Sequence, residues 1–364
     1  MSKQALKRFS VVFGLAAGLC LPAQAVVTFS TFISGSDINA ALGQNNTIAI
    51  TFAGDRFVGS VYVGANNLQL YQSDLNGLNV QKFGTLITSG GGEPVLAASL
   101  GQAGFATAEI FVSAADSKIY RYSHTGGAPT LFGSTDDGSG VRQIFFDPGN
   151  SFGGKMLVTT TSGHVLSYDG SGNRVLIANV GEDTEGMDIA TANYGQYAGQ
   201  LLVASEGSGR IRAISAAGVV TVLQSSAGGN ITIPSAETVS TVPLDLGLSG
   251  NPLEGFYVGN YPVDVQKASA SQFAGMQGNV VVTSEFGANS TVWELVYNGD
   301  VANNFSVSNV GTIPNLSEDG IFVTAQRIVE TGHVPEPGGL GLVGLALAVL
   351  AFSSRSAAQK VQPR

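Results

Sequence analysis

The sequence predicts an all-β fold, namely a β-propeller of four-stranded blades, with six blades favoured and a range of five to seven. Glycine is abundant, with 49 residues, and it interrupts short runs rich in Val, Ile, Phe and Tyr, a composition typical of β-strands separated by turns. Related strand segments also recur along the chain at intervals near 45 residues. Units of that length with four short strands are typical of propeller blades.

The recurring segment is a short apolar strand that ends in a small or polar residue. Its copies begin at positions spaced 49, 46, 45, 55 and 24 residues apart. They are Val61–Gly64, Ile110–Ser113, Met156–Thr159, Leu201–Ala204, Phe256–Gly259 and Val280–Thr283. The last interval is too short for a full blade, so it predicts that one blade is cut short or merged with another.

Further strands flank the recurring segment. A strand precedes it at 141–146 and 186–190, and strands follow it at 118–122, 164–168, 210–214 and 291–297, with a closing strand at 174–178 and 219–223. Since no unit of this size can bury both of its faces alone, the units are expected to stack in a closed ring. A β-sandwich or a β-solenoid is the alternative, but sandwiches lack a four-strand period and solenoid repeats are shorter.

Carboxylates recur where the innermost strand of each predicted blade begins. These candidate metal ligands are Glu93, Glu185, Glu237 and Glu318, and one unit offers Arg142 and Gln143 instead. Convergence of like charges on one axis calls for a compensating ion, and Ca²⁺ is the candidate cofactor because it is bound by six to eight oxygen atoms. Further ligands are available nearby from Asp183, Asp188 and Asp319. The alternative is that these glutamates only face solvent in loops.

The charge balance argues against anionic partners. Of the 26 acidic residues only Glu336 lies outside positions 26–334, whereas six of the 17 basic residues lie in the two terminal segments. The central part of the chain is therefore strongly acidic, which argues against binding of nucleic acid or anionic lipid headgroups.

The first 25 residues have the pattern of a signal peptide. Three basic residues precede the apolar run 9–21, and Ala23 and Ala25 supply the small side chains that signal peptidase requires, so cleavage is predicted before Val26. The single cysteine, Cys20, lies in this segment. The mature chain therefore has no disulfide with which to stabilise an exported domain.

The last thirty residues contain a second targeting pattern. A linker, 331–337, ends in Pro335, Glu336 and Pro337, and is followed by an apolar segment, 338–354, and a basic tail, 355–364. The pattern resembles the PEP-CTERM sorting signal, in which a membrane-embedded exosortase recognises the Pro-Glu-Pro tripeptide. The resemblance implies transport by the Sec machinery, transient anchoring in the inner membrane, and processing by exosortase. It also implies delivery to the cell surface or an extracellular matrix of exopolysaccharide.

Residues 26–330 are assigned to the propeller, whose rhythm resembles propellers of the NHL and SMP-30 type in architecture. Two functions follow. The first is a binding or scaffolding role at the cell surface, without catalysis, and no catalytic residue is assigned. The second is a calcium-dependent hydrolase, which the resemblance to SMP-30 lactonases implies. That family pairs a glutamate ligand with an Asn and an Asp around one ion, and only the glutamate has a match in this sequence.

Overall fold

Six four-stranded antiparallel sheets make up the described part of the chain, in agreement with the predicted six-bladed propeller. The computed structural model describes residues 26–64, 67–88, 92–114, 117–287, 289–299 and 304–328. The first strand of each sheet lies at the centre and contacts the first strands of the two neighbouring sheets. These contacts close a ring around a central channel.

The described chain begins with a strand and a short helix. Strand β1 is Ser30–Ile33 and helix α1 is Gly35–Leu42. The Ser34 side chain accepts a hydrogen bond from the Asp37 N–H, and the helix ends at Gly43 in the left-handed conformation, which only glycine adopts without strain. Helix α1 was not predicted, because Ile38 is its one buried residue and no apolar stripe marks it in the sequence.

Blades 1 to 4 are each continuous in sequence, and their strands run from the centre outward. Blade 1 consists of β2 (Thr47–Phe52), β3 (Phe57–Val61), β4 (Leu68–Ser73) and β5 (Gln81–Ile87). Blade 2 consists of β6 (Leu96–Leu100), β7 (Thr107–Ser113), β8 (Lys118–Ser123) and β9 (Gly126–Ser134). Blade 3 consists of β10 (Val141–Phe146), β11 (Met156–Thr160), β12 (His164–Tyr168) and β13 (Arg174–Asn179). Blade 4 consists of β14 (Met187–Ile189), β15 (Leu201–Ala204), β16 (Ile211–Ile214) and β17 (Val220–Val222).

Blades 5 and 6 are interleaved. The chain forms β18 (Ala236–Thr241), crosses to make β19 (Gly255–Tyr261) and β20 (Asp264–Ser269), and returns as β21 (Val280–Ser284), β22 (Asn289–Tyr297) and β23 (Phe305–Pro314) before β24 (Leu316–Val323). Blade 5 has the order β18-β21-β22-β23, and blade 6 has the order β24-β19-β20-β1. Short 3-10 helices at Ala192–Tyr197, Ala270–Phe273 and Ala325–Arg327 lie in connections.

The interleaving corrects the interpretation of the 24-residue interval. The segments beginning at Phe256 and Val280 are second strands of two different blades, each with four strands. Neither of these two blades is shortened or merged with another. The interval is short because the hairpin of blade 6 is inserted between the first and second strands of blade 5.

Ring closure depends on the N-terminal strand and on close packing between blades. Strand β1 pairs with β20 as the outermost strand of blade 6, so the two ends of the described chain complete one sheet. Phe57 of blade 1 packs against Tyr257 of blade 6, with ring centroids 4.6 Å apart. The backbones also approach closely, because a Cβ at Gly259 would lie 1.9 Å from the carbonyl oxygen of Ile48.

The predicted signal peptide, the Pro335-Glu336-Pro337 motif, the apolar segment and the basic tail lie outside the described residues, and the predicted cleavage point falls at their edge, with Val26 exposed. Within the residues that are described, no helix has the length and apolar character needed to cross a membrane.

Candidate functional site

Two cavities lie in the central channel among the described residues, one toward each end. A hydrogen-bonded pair of side chains, called here the partition, lines both of them. Gln143 and Asp319 line both cavities, and the Gln143 side-chain amide donates to the Asp319 carboxylate at 3.1 Å. The smaller cavity, called here the acidic mouth, lies where the innermost strands begin. The larger cavity, called here the funnel, lies toward their other ends.

The acidic mouth contains all four glutamates that the sequence singled out. Glu93, Glu185, Glu237 and Glu318 come from four different blades and line the same cavity, which encloses about 20 Å³, enough for one water molecule or ion. Their burial differs. Glu185 and Glu318 are buried, Glu237 is half-buried and Glu93 is exposed. The predicted convergence of carboxylates is present in the structure, whereas metal binding by them stays a prediction.

The backbone around Glu185 is fixed by three blades. Its N–H donates to the Ala204 carbonyl at 2.9 Å within blade 4, and its carbonyl accepts from the Thr159 hydroxyl of blade 3 at 2.8 Å. The following N–H, of Gly186, donates to the Glu237 carbonyl at 2.8 Å. A Cβ at position 186 would lie 2.3 Å from that carbonyl oxygen, so glycine is what lets blades 4 and 5 bring these two glutamates together.

Arg142 provides positive charge within the mouth. Its guanidinium Nη2 lies 2.5 Å from Asp183 Oδ2, its Nε lies 2.9 Å from Glu185 Oε1, and its Nη1 lies 3.3 Å from Glu93. Burial disfavours the charged guanidinium, but its hydrogen bonds to Asp183 and the charge of Glu185 raise the pKa of Arg142 overall. The arginine therefore remains charged and ties blade 3 to the loop that precedes β14.

Two further carboxylates of the mouth were missed in the sequence. Glu206 and Glu285 lie within two residues after the second strand of a blade, in the sequences Val203-Ala204-Ser205-Glu206 and Val282-Thr283-Ser284-Glu285. In an antiparallel sheet the second strand ends where the first begins, so both residues reach the same end of the channel. The repeated Val-x-Ser-Glu pattern was the available signal.

The most compact group of carboxylates is not the predicted one. Asp183, Glu185 and Glu206 each place an oxygen within 4.8 Å of the others, so only Glu185 comes from the predicted four. Asp183 had been named as an additional ligand, and it belongs to this group. Asp188 and Asp319 do not belong to it. Asp319 lies in the partition, and Asp188 lines the funnel.

Repulsion among the carboxylates is visible in their pKa values. Burial, followed by the charges of neighbouring carboxylates, raises the pKa of Glu185, Glu237 and Glu318 well above the usual range. Glu237 keeps some accessibility inside the cavity, but it lies deep between blades. Burial, together with Glu206 and Glu93, raises the pKa of Glu285 to about 7. Arg142 alone therefore does not balance the negative charge of the mouth.

The residues of the mouth fit a hard divalent cation. Glu185 is only 4 % exposed, and its Oε1 accepts no hydrogen bond, although Arg142 Nε lies 2.9 Å away. The Nε hydrogen is directed at Asp183 instead, at 3.0 and 3.2 Å from its two oxygens. A buried carboxylate with an oxygen that accepts no hydrogen bond, in a residue grouped with Asp183 and Glu206, is the environment that Ca²⁺ satisfies with oxygen ligands.

Known proteins resemble this chain only distantly. No protein-family model matches the chain, and no curated protein matches it. A streptogramin B lyase structure aligns at 10% identity over 78% of this chain and 74% of that chain, with a TM-score of 0.48. A virginiamycin B lyase from Staphylococcus aureus aligns at 10% identity over 77% of this chain and 88% of that chain, with a TM-score of 0.45. A protein of unknown function from Bacteroides thetaiotaomicron aligns at 10% identity over 80% of this chain and 69% of that chain, with a TM-score of 0.48. These similarities are too distant to bear on function.

Proposed function

We propose that this protein is an exported β-propeller that binds a divalent cation, Ca²⁺, at the acidic mouth and serves a binding rather than a catalytic role. Two observations carry the cation: Asp183, Glu185 and Glu206 each place a carboxylate oxygen within 4.8 Å of the others, and the buried Glu185 Oε1 accepts no hydrogen bond from the described residues, although Arg142 Nε lies 2.9 Å away. The raised pKa values of the surrounding glutamates give the ion its energetic reason, because a bound cation relieves their repulsion.

The role of the ion is to hold the propeller in a binding-competent form. The carboxylates of the mouth come from the loops and first strands of several blades, so an ion among them links those blades at one end of the channel. Glu93, at 46 % side-chain exposure, leaves the mouth open to solvent and to the sugar hydroxyl groups of a surface polymer. An exopolysaccharide bound through calcium is therefore the partner that we propose.

Thermal melts of the purified protein in EDTA and in millimolar Ca²⁺, together with calorimetric titration, test the cation. A ligand at 100 times its Kd adds about 2.7 kcal/mol to the stability of the folded state, so a higher melting temperature and about one ion per chain are expected. An unchanged melt without binding heat would refute the site.

Charge-neutralising variants locate the ion. Glu185→Gln should weaken Ca²⁺ binding at least tenfold, because it removes the central ligand of the compact group. Asp37→Asn is the matched control, since Asp37 is an exposed carboxylate on α1, away from the channel. Equal Ca²⁺ affinity in the two variants would place the ion elsewhere.

A calcium-dependent hydrolase is the second candidate, and one observation favours it. Glu285, which interacts electrostatically with Glu206 of the proposed ion site, has a pKa raised to about 7 by burial and by the charges of Glu206 and Glu93, which is the range of a general base at neutral pH. Hydrolysis of a panel of lactones and esters, lost in Glu285→Gln and in EDTA but kept in Asp37→Asn, would support this candidate. Absence of turnover with Ca²⁺ bound would leave the binding role.

Export and sorting complete the proposal. Residues 1–25 are proposed to direct Sec export, and Pro335-Glu336-Pro337 to be recognised by exosortase before delivery to the surface or matrix. Mass spectrometry of protein recovered from the producing cells tests both steps. Mature chains should begin at Val26 and lack residues 338–364, and substitution of Glu336 by Ala should leave the longer form in the membrane fraction. Retention of the full sequence in the wild type would contradict processing.

A further inference from the structure

The funnel is large enough for a small organic molecule. It encloses about 510 Å³, and all six blades contribute to its wall. Cavities of this order, apolar with a few polar groups, are typical of small-molecule sites. The partition, formed by Gln143 and Asp319, lies where the funnel meets the acidic mouth.

The wall of the funnel is mainly aliphatic and aromatic. Phe145, Ile189 and Ile321, from blades 3, 4 and 6, line the funnel and remain partly exposed in it. Ala97 of blade 2 also lines it, is partly exposed, and otherwise packs against the hydrophobic cluster between blades 2 and 3. Because partly exposed apolar side chains gain free energy when an apolar ligand removes water from them, the wall favours a hydrocarbon body.

One cation lies among the described residues of this wall, and it is Arg327. It ends the 3-10 helix Ala325–Arg327, which is held in place because the Ala325 N–H donates to the buried Glu254 carboxylate at 3.1 Å. Within the part of the chain that the structure describes, the guanidinium makes no hydrogen bond, and its electrostatic partner is Asp188. Burial lowers the pKa of Arg327 to about 10, so the arginine stays charged at neutral pH, and the described residues offer its donors no hydrogen-bond acceptor.

Asp188 does not satisfy those donors. Its carboxylate oxygens accept hydrogen bonds from the Ile189 N–H at 2.6 Å and the Thr241 N–H at 2.7 Å. Burial raises its pKa to about 7, so much of its negative charge is lost in mildly acidic solution. Asp245 and Asp319 also line the funnel, but Asp319 is held in the partition by Gln143.

We propose that the funnel binds an amphipathic carboxylate, such as a medium-chain fatty acid, with its hydrocarbon body against Phe145, Ile189 and Ile321 and its carboxylate on Arg327. The planar guanidinium presents donors in a fork that matches a carboxylate in bidentate geometry. The apolar wall accounts for the body, and an arginine whose donors have no acceptor among the described residues accounts for the head group. This site is independent of the calcium site proposed at the opposite end of the channel.

Calorimetric titration of the purified full chain with decanoate below its micellar concentration tests the site, with decan-1-ol as the neutral probe of the same chain length. We expect saturable binding of about one decanoate per chain. Arg327→Gln should weaken decanoate binding about tenfold or more, since charge-assisted hydrogen bonds are lost, and should change decan-1-ol binding less than twofold. Arg210→Gln, an exposed arginine outside the funnel, is the matched control.

A second variant tests the location independently of charge. Ala97→Phe adds a ring at a partly exposed position of the funnel wall, so it should abolish binding of both probes, and a melting temperature within a few degrees of wild type shows that the fold is kept. Decanoate affinity should be higher at pH 6 than at pH 8.5, because protonation of Asp188 removes the competing negative charge from Arg327. Absence of saturable binding, equal effects of Arg327→Gln on both probes, unchanged binding in Ala97→Phe, or affinity that rises with pH would each overturn the proposal.

Discussion

Mild acidification should stabilise this protein, and Asp319 is the residue with which the effect can be measured. Asp319 is 9 % exposed, and burial raises the pKa of its carboxyl from 3.8 to about 7. The folded protein therefore keeps a proton that the unfolded chain releases near pH 4. Between these two pH values folding takes up a proton, so the free energy of unfolding falls as pH rises from about 4 to 7.

The size of the effect follows from the same pKa difference. Complete ionisation of a carboxyl with this rise in pKa costs the folded state roughly 4 kcal/mol. We take half of this, about 2 kcal/mol, because water and side chains relax around a new charge. Asp319→Asn keeps an oxygen that can accept from Gln143 and removes the charge. The variant should therefore be about 2 kcal/mol more stable than wild type at pH 8 and about equal to it near pH 4.5.

Urea denaturation in EDTA at intervals from pH 4.5 to pH 8.5 measures both quantities. Asp37→Asn is the control: it removes an exposed carboxylate far from the channel that accepts from the Ser34 hydroxyl at 2.7 Å in the first turn of α1, so its stability should differ from wild type by a small amount, below about 1 kcal/mol, that does not change across this pH range. Lowered pKa values at Asp74 and Asp137 cause a separate loss of stability below about pH 4, outside this window. Wild-type stability that rises steadily from pH 5.5 to 8, or equal stability of Asp319→Asn and wild type at pH 8, would refute the reasoning.

Three other predictions concern the mouth and the ring. Arg142→Met should lower the free energy of unfolding at pH 8 in EDTA by about 2–3 kcal/mol, because it leaves buried carboxylates unpaired, and millimolar Ca²⁺ should restore the lost stability. Urea denaturation with and without Ca²⁺ measures both effects. A loss of stability that Ca²⁺ does not restore would contradict this prediction. Gly259→Ala should lower the free energy of unfolding by about 3 kcal/mol or more, since its Cβ would meet the Ile48 carbonyl at 1.9 Å. Gly207→Ala, whose Cβ would have nothing within 4 Å, should change it by no more than about 0.5 kcal/mol. Similar melting temperatures of the two variants would contradict the steric argument. Ile33→Ala should cost about 2–4 kcal/mol, because this fully buried residue belongs to the strand that closes the ring, and a neutral effect on urea denaturation would mean that β1 does not hold blade 6.

The backbone hydrogen bonds of the blades explain why the fold tolerates an acidic mouth. The carboxylates lie on loops and first strands that the surrounding sheets already hold in place by backbone hydrogen bonds, as at Glu185. The folded state can therefore bear their repulsion, which is relieved by protons at low pH, by Arg142, or by the cation that we propose. A site of this kind gains binding energy from an ion because the protein has already paid the cost of bringing the charges together.

The sequence by itself determined the class of fold, the repeat length, and the strand positions within most blades. This was possible because alternating apolar residues and turn glycines are local properties, and blades 1 to 4 are continuous in the chain. It also predicted that Glu93, Glu185, Glu237 and Glu318 converge on the central axis, since residues at equivalent positions of a repeat come to equivalent places around that axis.

Only the tertiary structure decided how blades 5 and 6 are connected and which carboxylates lie closest together. The insertion of β19 and β20 into blade 5 cannot be read from strand spacing, because strand pairing between distant segments leaves no local signal. Likewise, Glu206 joins Asp183 and Glu185 because antiparallel pairing returns the end of β15 to the start of β14. The funnel and its Arg327 were not foreseen either, since a cavity is formed by residues from all six blades, and their proximity exists only once the ring has closed.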